Sequence, residues 1–272
     1  MSLRIQNNVE AFNAHRNLVG TSSALSKSME RLSSGYRINR AADDSAGLAI
    51  SEKLRAQIGG LDQAQRNAQD AVSLVQTGEG AMAEVHAMLQ RVRDLAVQFN
   101  NGTLSASDKA SITGEVAQLC AEISAVGANT KFNGIALLTG SSSITFQVGA
   151  NDAETLTVNA VALFGAGTTY DVDSAIFTFS GTVTLASIDS AIQNVADARS
   201  TFGSIQNRLE HTLNNLANYQ ENLTAAESRI RDVDMASEMV NFTKLQILQQ
   251  AGTAMLAQAQ QSGSSVLSLL QG

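Results

Sequence analysis

Leu54–Phe99 reads LRAQIGGLDQAQRNAQDAVSLVQTGEGAMAEVHAMLQRVRDLAVQF. Leu54, Leu61, Ala68, Val75, Met82, Leu89 and Ala96 stand seven residues apart, and Ala64, Ala71, Val85, Val92 and Phe99 occupy the positions three residues later. That spacing puts one continuous apolar stripe along an α-helix and calls for a partner helix on that face. At 1.5 Å per residue, six heptads make a rod of roughly 63 Å.

Working outward, the pattern stops at NNGTLSASDK, where Asn101-Gly102 breaks the helix and Ser105 with Asp108 forms a capping-box pattern, Asp standing for Glu. Ile112, Val116, Leu119, Ile123 and Val126 then predict a second helix. From Asn129 the period changes. The Asn-Gly pair in FNGIALL signals a tight turn, and the alternation in SITFQVG and ETLTVNA predicts a hairpin, with shorter strands up to Leu185. A third long helix starts near Ser187, with Leu209, Leu216, Tyr219, Leu223, Ala226 and Ile230 on one face, and breaks at RIRDVDMAS.

Both ends of the chain are helical as well. Near the start, Ile5, Val9 and Phe12 widen an apolar face on which Ala11, Ala14, Leu18, Thr21, Leu25, Ser28 and Leu32 alternate by three and four. This helix ends at SSGYRINRAADDSAG, where Asp43 or Asp44 supplies the next N-cap. At the other end Leu245, Leu248, Gly252, Met255, Ala259, Ser262, Val266 and Leu269 give the same alternation. The two seams are of similar length and can pair. Gly252, Ala259 and Ser262 bury little area, so further copies of the chain are expected to cover the remaining apolar residues, Leu256, Leu267 and Leu270 included.

The expected fold is therefore mainly α, an elongated helical bundle or coiled coil with paired N- and C-terminal helices and a small β-hairpin-containing insert. Residues 1–42 and 235–272 form the terminal coiled coil, 43–139 and 186–234 the long-helix bundle, and 140–185 the β-rich insert.

Composition agrees with long helices. The 272 residues contain no proline, where average usage of about 5% predicts roughly a dozen, and proline inside a helix costs about 3 kcal/mol. With no Trp and three Tyr the core is aliphatic. A net charge of -7 without a basic cluster longer than RVR excludes general nucleic-acid binding. No run of 18 apolar residues predicts a membrane span, and MSLRIQNNVEAFNAHRN has neither the apolar core nor the cleavage site of a signal peptide. The single Cys120 lies beside an apolar stripe and reads as a buried thiol. His15, His86 and His211 lack metal-ligand spacing, and the glycine runs lack a phosphate-binding pattern. No catalytic, cofactor or metal site is expected.

Several long blocks carry a family resemblance. LSSGYRINRAADDSAGLAISEKLRAQI, AQDAVSLVQTGEGAM, LQRVRDLAVQ, FNGIALL and SRIRDVDMASEMVNFTKLQILQQAGTAMLAQA resemble, in order, motifs of bacterial flagellins. The resemblance implies a non-enzymatic subunit of the extracellular flagellar filament, secreted unfolded through the flagellar type III apparatus and serving motility. Its self-assembly residues would be Leu18, Leu25, Leu32, Leu245, Leu248, Met255, Leu256, Val266, Leu267, Leu269 and Leu270. Its partners would be further copies of itself, an export chaperone on the C-terminal helix, and the hook-filament junction and cap proteins. The block around Gln90, Arg91, Leu95 and Gln98, with Glu115, resembles the surface seen by the flagellin-sensing Toll-like receptor, although Asp94 departs from the more usual Glu. The alternative is a hook-filament junction protein, which shares the terminal helices.

Overall fold

The computed structural model describes residues 8–139, 143–159 and 184–271, with residues 262–271 as backbone alone. Five helices and two antiparallel strand pairs appear among them. In chain order these are α1 (Val9–Ser34), α2 (Ser45–Phe99), α3 (Ala106–Asn129), β1 (Lys131–Phe132), β2 (Ile135–Ala136), β3 (Ser143–Gln147), β4 (Thr155–Asn159), α4 (Leu185–Arg231) and α5 (Met235–Gln271). Packing separates a unit of residues 1–56 with 222–272 from a unit of residues 57–221.

In the unit of residues 57–221 the core is the stripe read from the sequence. Every heptad position of α2 from Leu61 to Phe99 in the two sets above is buried. Gly78 occupies the one position in the second set where no apolar residue stands. A Cβ placed there would lie 2.7 Å from Cε2 of Phe202 on α4, and Phe202 is itself buried. The gap in the stripe is thus the socket for an aromatic ring. Along α4 the buried face is Ile188, Ala191, Val195, Ala198, Phe202, Ile205, Leu209 and Leu216. Tyr219, expected on that face, is 46% exposed instead; the seam steps from Leu216 past it to half-buried Gln220 and Leu223.

Ser105 opens α3 with a full capping box, its hydroxyl accepting from Asp108 N–H while Asp108 accepts from Ser105 N–H. Cys120 lies on the packed face of α3 and is 7% exposed, and burial pushes its thiol pKa up. Asn133 and Gly134 both take positive φ, 48° and 81°, giving the tight turn in which Phe132 pairs with Ile135. The β3–β4 hairpin pairs Ile144 with Val158 and Phe146 with Leu156, and Leu156 and Val158 are buried. Asn67 Nδ2 of α2 donates to Gln147 O at 3.0 Å, tying the hairpin to the helix. The further strands expected up to Leu185 fall largely outside the described residues.

Candidate assembly interface

In the other unit, α1 and α5 lie antiparallel. Asn8 Nδ2 donates to Ala259 O at 2.7 Å, a Cβ on Gly252 would meet Leu18 Cδ1 at 3.1 Å, and Arg31 reaches Glu238 at 3.7 Å. As positions rise along α1, their partners fall along α5, 23 positions against 21 from end to end. Asn8 also caps α1 through Ala11 N–H.

The α1 side of this seam is Ala11, Ala14, Leu18, Thr21, Leu25, Ser28 and Leu32, all buried or half-buried as their spacing predicts. The α5 side departs from expectation. The shielded positions are Glu238, Phe242, Leu245, Gln249, Gly252, Leu256 and Ala259. Leu248 is 47% and Met255 65% exposed, so both point away from α1, whereas Leu256, expected outside the seam, is in it. The reason is that α5 offers apolar residues on several faces at once, with only Glu238 and Lys244 charged along its 37 residues. A helix of that kind is built to be covered all round. The side chains of Ser262, Val266, Leu267, Leu269 and Leu270, and all of Ile5, lie outside the described residues.

What this unit leaves uncovered is large. Val9, Phe12, Val19, Met29, Ile50, Met235, Met239, Val240, Ile247, Leu248 and Met255 are exposed here, against Val97, Ile135 and Tyr219 in the other unit. Fully burying such a side chain stabilises a contact by about 1.5–3 kcal/mol. The part-exposed Val240, Ile247, Leu248 and Met255 together offer on the order of 5 kcal/mol before the entropy of association is subtracted.

The two helix breaks at the end of this pair hold one another. Gly35, at φ 75°, caps α1 by donating to Arg31 O. Arg37 N–H donates to Arg231 O at 2.7 Å and Val233 N–H to Gly35 O at 3.0 Å, a short antiparallel bridge. Arg231 lies 4.9 Å over the Tyr36 ring and binds Glu52 at 2.6 Å. Asp234 starts α5 by accepting from the N–H groups of Ala236 and Ser237. Of the two candidate caps for α2, Asp44 performs the task, accepting from Gly47 N–H at 2.9 Å. Asp43 instead pairs with Lys27 of α1 and accepts from the N–H groups of Arg40 and Asn39.

Hydrogen bonding from Lys27, then from the Arg40 backbone, lowers the Asp43 pKa from the ordinary 3.8 to about 2. A carboxyl depressed on folding contributes stability that is complete above its unfolded value and is lost as pH falls through the folded one. Asp43→Asn is therefore expected to destabilise the α1–α5 unit at neutral pH, with the difference from wild type shrinking between pH 3.8 and about 2. Denaturant melts at stepped pH, followed by a probe on α1, measure this; a difference that persists at pH 2 contradicts it.

The block around Gln90 lies in the unit of residues 57–221. Arg91 Nε and Nη2 both donate to Glu115 Oε1, at 2.9 and 2.7 Å, with both side chains about half exposed. Gln90 and Gln98 are exposed, and Gln90 is hydrogen-bonded to His86. Leu95 is 2% exposed and belongs to the core. The surface this block presents is thus polar, and Leu95 supports it from beneath.

Two family models cover most of the chain: the bacterial flagellin N-terminal helical region matches residues 5–143 and the bacterial flagellin C-terminal helical region residues 185–270. The chain belongs to the bacterial flagellin family. Flagellin of Halalkalibacterium halodurans is 50% identical over 98% of this chain and 99% of its own length. The flagellar filament 33 kDa core protein of Treponema phagedenis is 45% identical over 98% and 99%. A putative flagellar hook-associated protein from Vibrio parahaemolyticus has a similar solved structure, with TM-score 0.59 over 70% of this chain and all of that one, at 17% identity. That likeness shows the fold and does not favour the junction-protein alternative. Flagellins are structural filament proteins and not enzymes. Among the described residues of this flagellin no helix is long and apolar enough to cross a membrane.

Proposed function

We propose that this flagellin chain is a filament subunit whose polymerisation is driven by covering the outward apolar faces of α1 and α5. The observation that carries the reading is the concentration of exposed apolar side chains on that one unit, Val240 and Ile247 at 71% and 60% among them, beside a seam in which Ala11, Ala14, Thr21, Ser28, Gly252 and Ala259 bury little area. The seam set Leu18, Leu25, Leu32, Leu245 and Leu256 pairs the helices, while Leu248 and Met255 face neighbouring subunits. Val266, Leu267, Leu269 and Leu270 extend the same apolar helix in sequence.

Electron microscopy of seeded protein, beside a chain truncated after Met235, tests the reading. Filaments from the full chain and none from the truncation are expected; filaments from both would overturn it.

The apolar faces also account for the remaining partners. A helix with two charges in 37 residues needs cover before assembly, which fits an export chaperone on α5, and secretion through the flagellar type III apparatus would deliver the chain to the growing tip beneath a cap protein, onto the hook-filament junction. The exposed Gln90, Arg91, Gln98 and Glu115 are the residues a host Toll-like receptor would contact. Arg91→Ala breaks the pair with Glu115 and is expected to weaken monomer detection in a reporter-cell assay by roughly tenfold, the scale of one charge-assisted contact; an unchanged response removes the receptor from the account.

A further inference from the structure

Among the described residues the methionines divide sharply by unit. Met29, Met235, Met239 and Met255 are 54%, 48%, 49% and 65% exposed, all on α1 or α5, whereas Met82 is fully buried and Met88 half-buried in the other unit. The antiparallel register set by Arg31 and Glu238 brings Met29 level with Val240, the residue next to Met239. Cys120, the other sulfur that an oxidant could take, is buried.

We propose that Met29, Met235, Met239 and Met255 are oxidation sites, and that their conversion to sulfoxides by a peroxide-class oxidant prevents this face from assembling. The proposal rests on the reading that the face is covered on polymerisation. In the reaction the thioether sulfur attacks one oxygen of hydrogen peroxide and the O–O bond breaks. A sulfur–oxygen bond forms, and the second oxygen leaves as water. Sulfur loses two electrons and peroxide gains them. The product is polar and chiral where the thioether was apolar and flexible. In the free chain the sulfoxide is hydrated at little cost. In a subunit interface its oxygen must be stripped of water without an arranged donor, which penalises assembly and not folding. Assembled subunits bury the same sulfurs, so the switch acts on the free chain.

The experiment compares four samples by seeded elongation. Untreated wild type sets the baseline; failure to elongate there sinks the assembly reading itself and leaves the oxidation chemistry to be read by mass spectrometry. Wild-type monomer treated with millimolar hydrogen peroxide is expected to carry sulfoxide at the four exposed sites before Met82, with unchanged helicity and elongation slowed ~tenfold or more. Treatment with the two methionine sulfoxide reductases, one for each epimer, is expected to restore it. The variant with all four methionines replaced by Leu is expected to elongate and to resist peroxide. Oxidation of Met82 at the same rate, full elongation of chains carrying the four sulfoxides, or equal peroxide sensitivity of the Leu variant overturns the proposal. Should the Leu variant not elongate even untreated, the reductase sample decides, since no recovery there is equally fatal.

Discussion

Leu248→Asp is expected to abolish filament elongation while leaving the helical content of the free chain unchanged. Leu248 is 47% exposed and turned away from α1, so a carboxylate there is hydrated in the monomer. Covered by a neighbouring subunit, it becomes a buried charge without a partner, a loss of about 3–5 kcal/mol, or roughly a hundred- to several-thousand-fold in critical concentration. Leu256→Asp is the informative contrast. Leu256 is half-buried in the α1–α5 seam, so the charge is expected to separate the pair and to remove elongation together with part of the terminal-unit helicity. Circular dichroism and electron microscopy on the two variants distinguish the faces. Normal filaments from Leu248→Asp would mean that the outward face is not covered on assembly.

The second large effect belongs to the other unit. Phe202→Ala removes a ring that is 1% exposed and seated over Gly78, and truncations of this kind cost about 3–5 kcal/mol. Gly78→Val is also expected to destabilise, because its Cβ falls 2.7 Å from the ring edge, and overpacking costs about 1–3 kcal/mol. The two changes share one volume. In the double variant, Val occupies space that the ring has vacated, so the combined loss should be smaller than the two single losses added. Urea melts of the four chains measure the coupling; strict additivity would mean that Gly78 does not form the socket.

These elements also show what was legible in the sequence. The α2 stripe, the Asn133-Gly134 turn, the β3–β4 pairing and the Ser105 capping box were all readable. Each depends on a local period or on one residue type that the backbone demands. Gly78 was readable only as a gap, because its partner lies 124 positions later, at Phe202 on α4. For α5 the seam was misread through abundance of signal. Leu245, Gly252 and Ala259 fit both registers, Leu248 and Met255 extend one, Phe242 and Leu256 the other. What selects between them is tertiary: Gly252 against Leu18, and Arg31 against Glu238. Leu95 falls on neither of the two heptad sets of α2, and only the packing of that helix shows it to be core.

The contact between Asn8 and Ala259 also bears on the order in which the chain folds. It joins residues 251 positions apart, whereas Gln65 and Gln220, 155 positions apart, meet at 2.7 Å within the other unit. Closing the latter first removes that stretch from the loop the terminal helices must close, a relief of about 0.9 kcal/mol in chain entropy. The bridge between Arg37 and Arg231 shortens the remaining loop again. Helix pairing at the termini is therefore expected to follow closure of the other unit, when the loop left to close is shorter. A chain pulled from its two ends is expected to lose the terminal pairing first, because those ends carry the helices that pair.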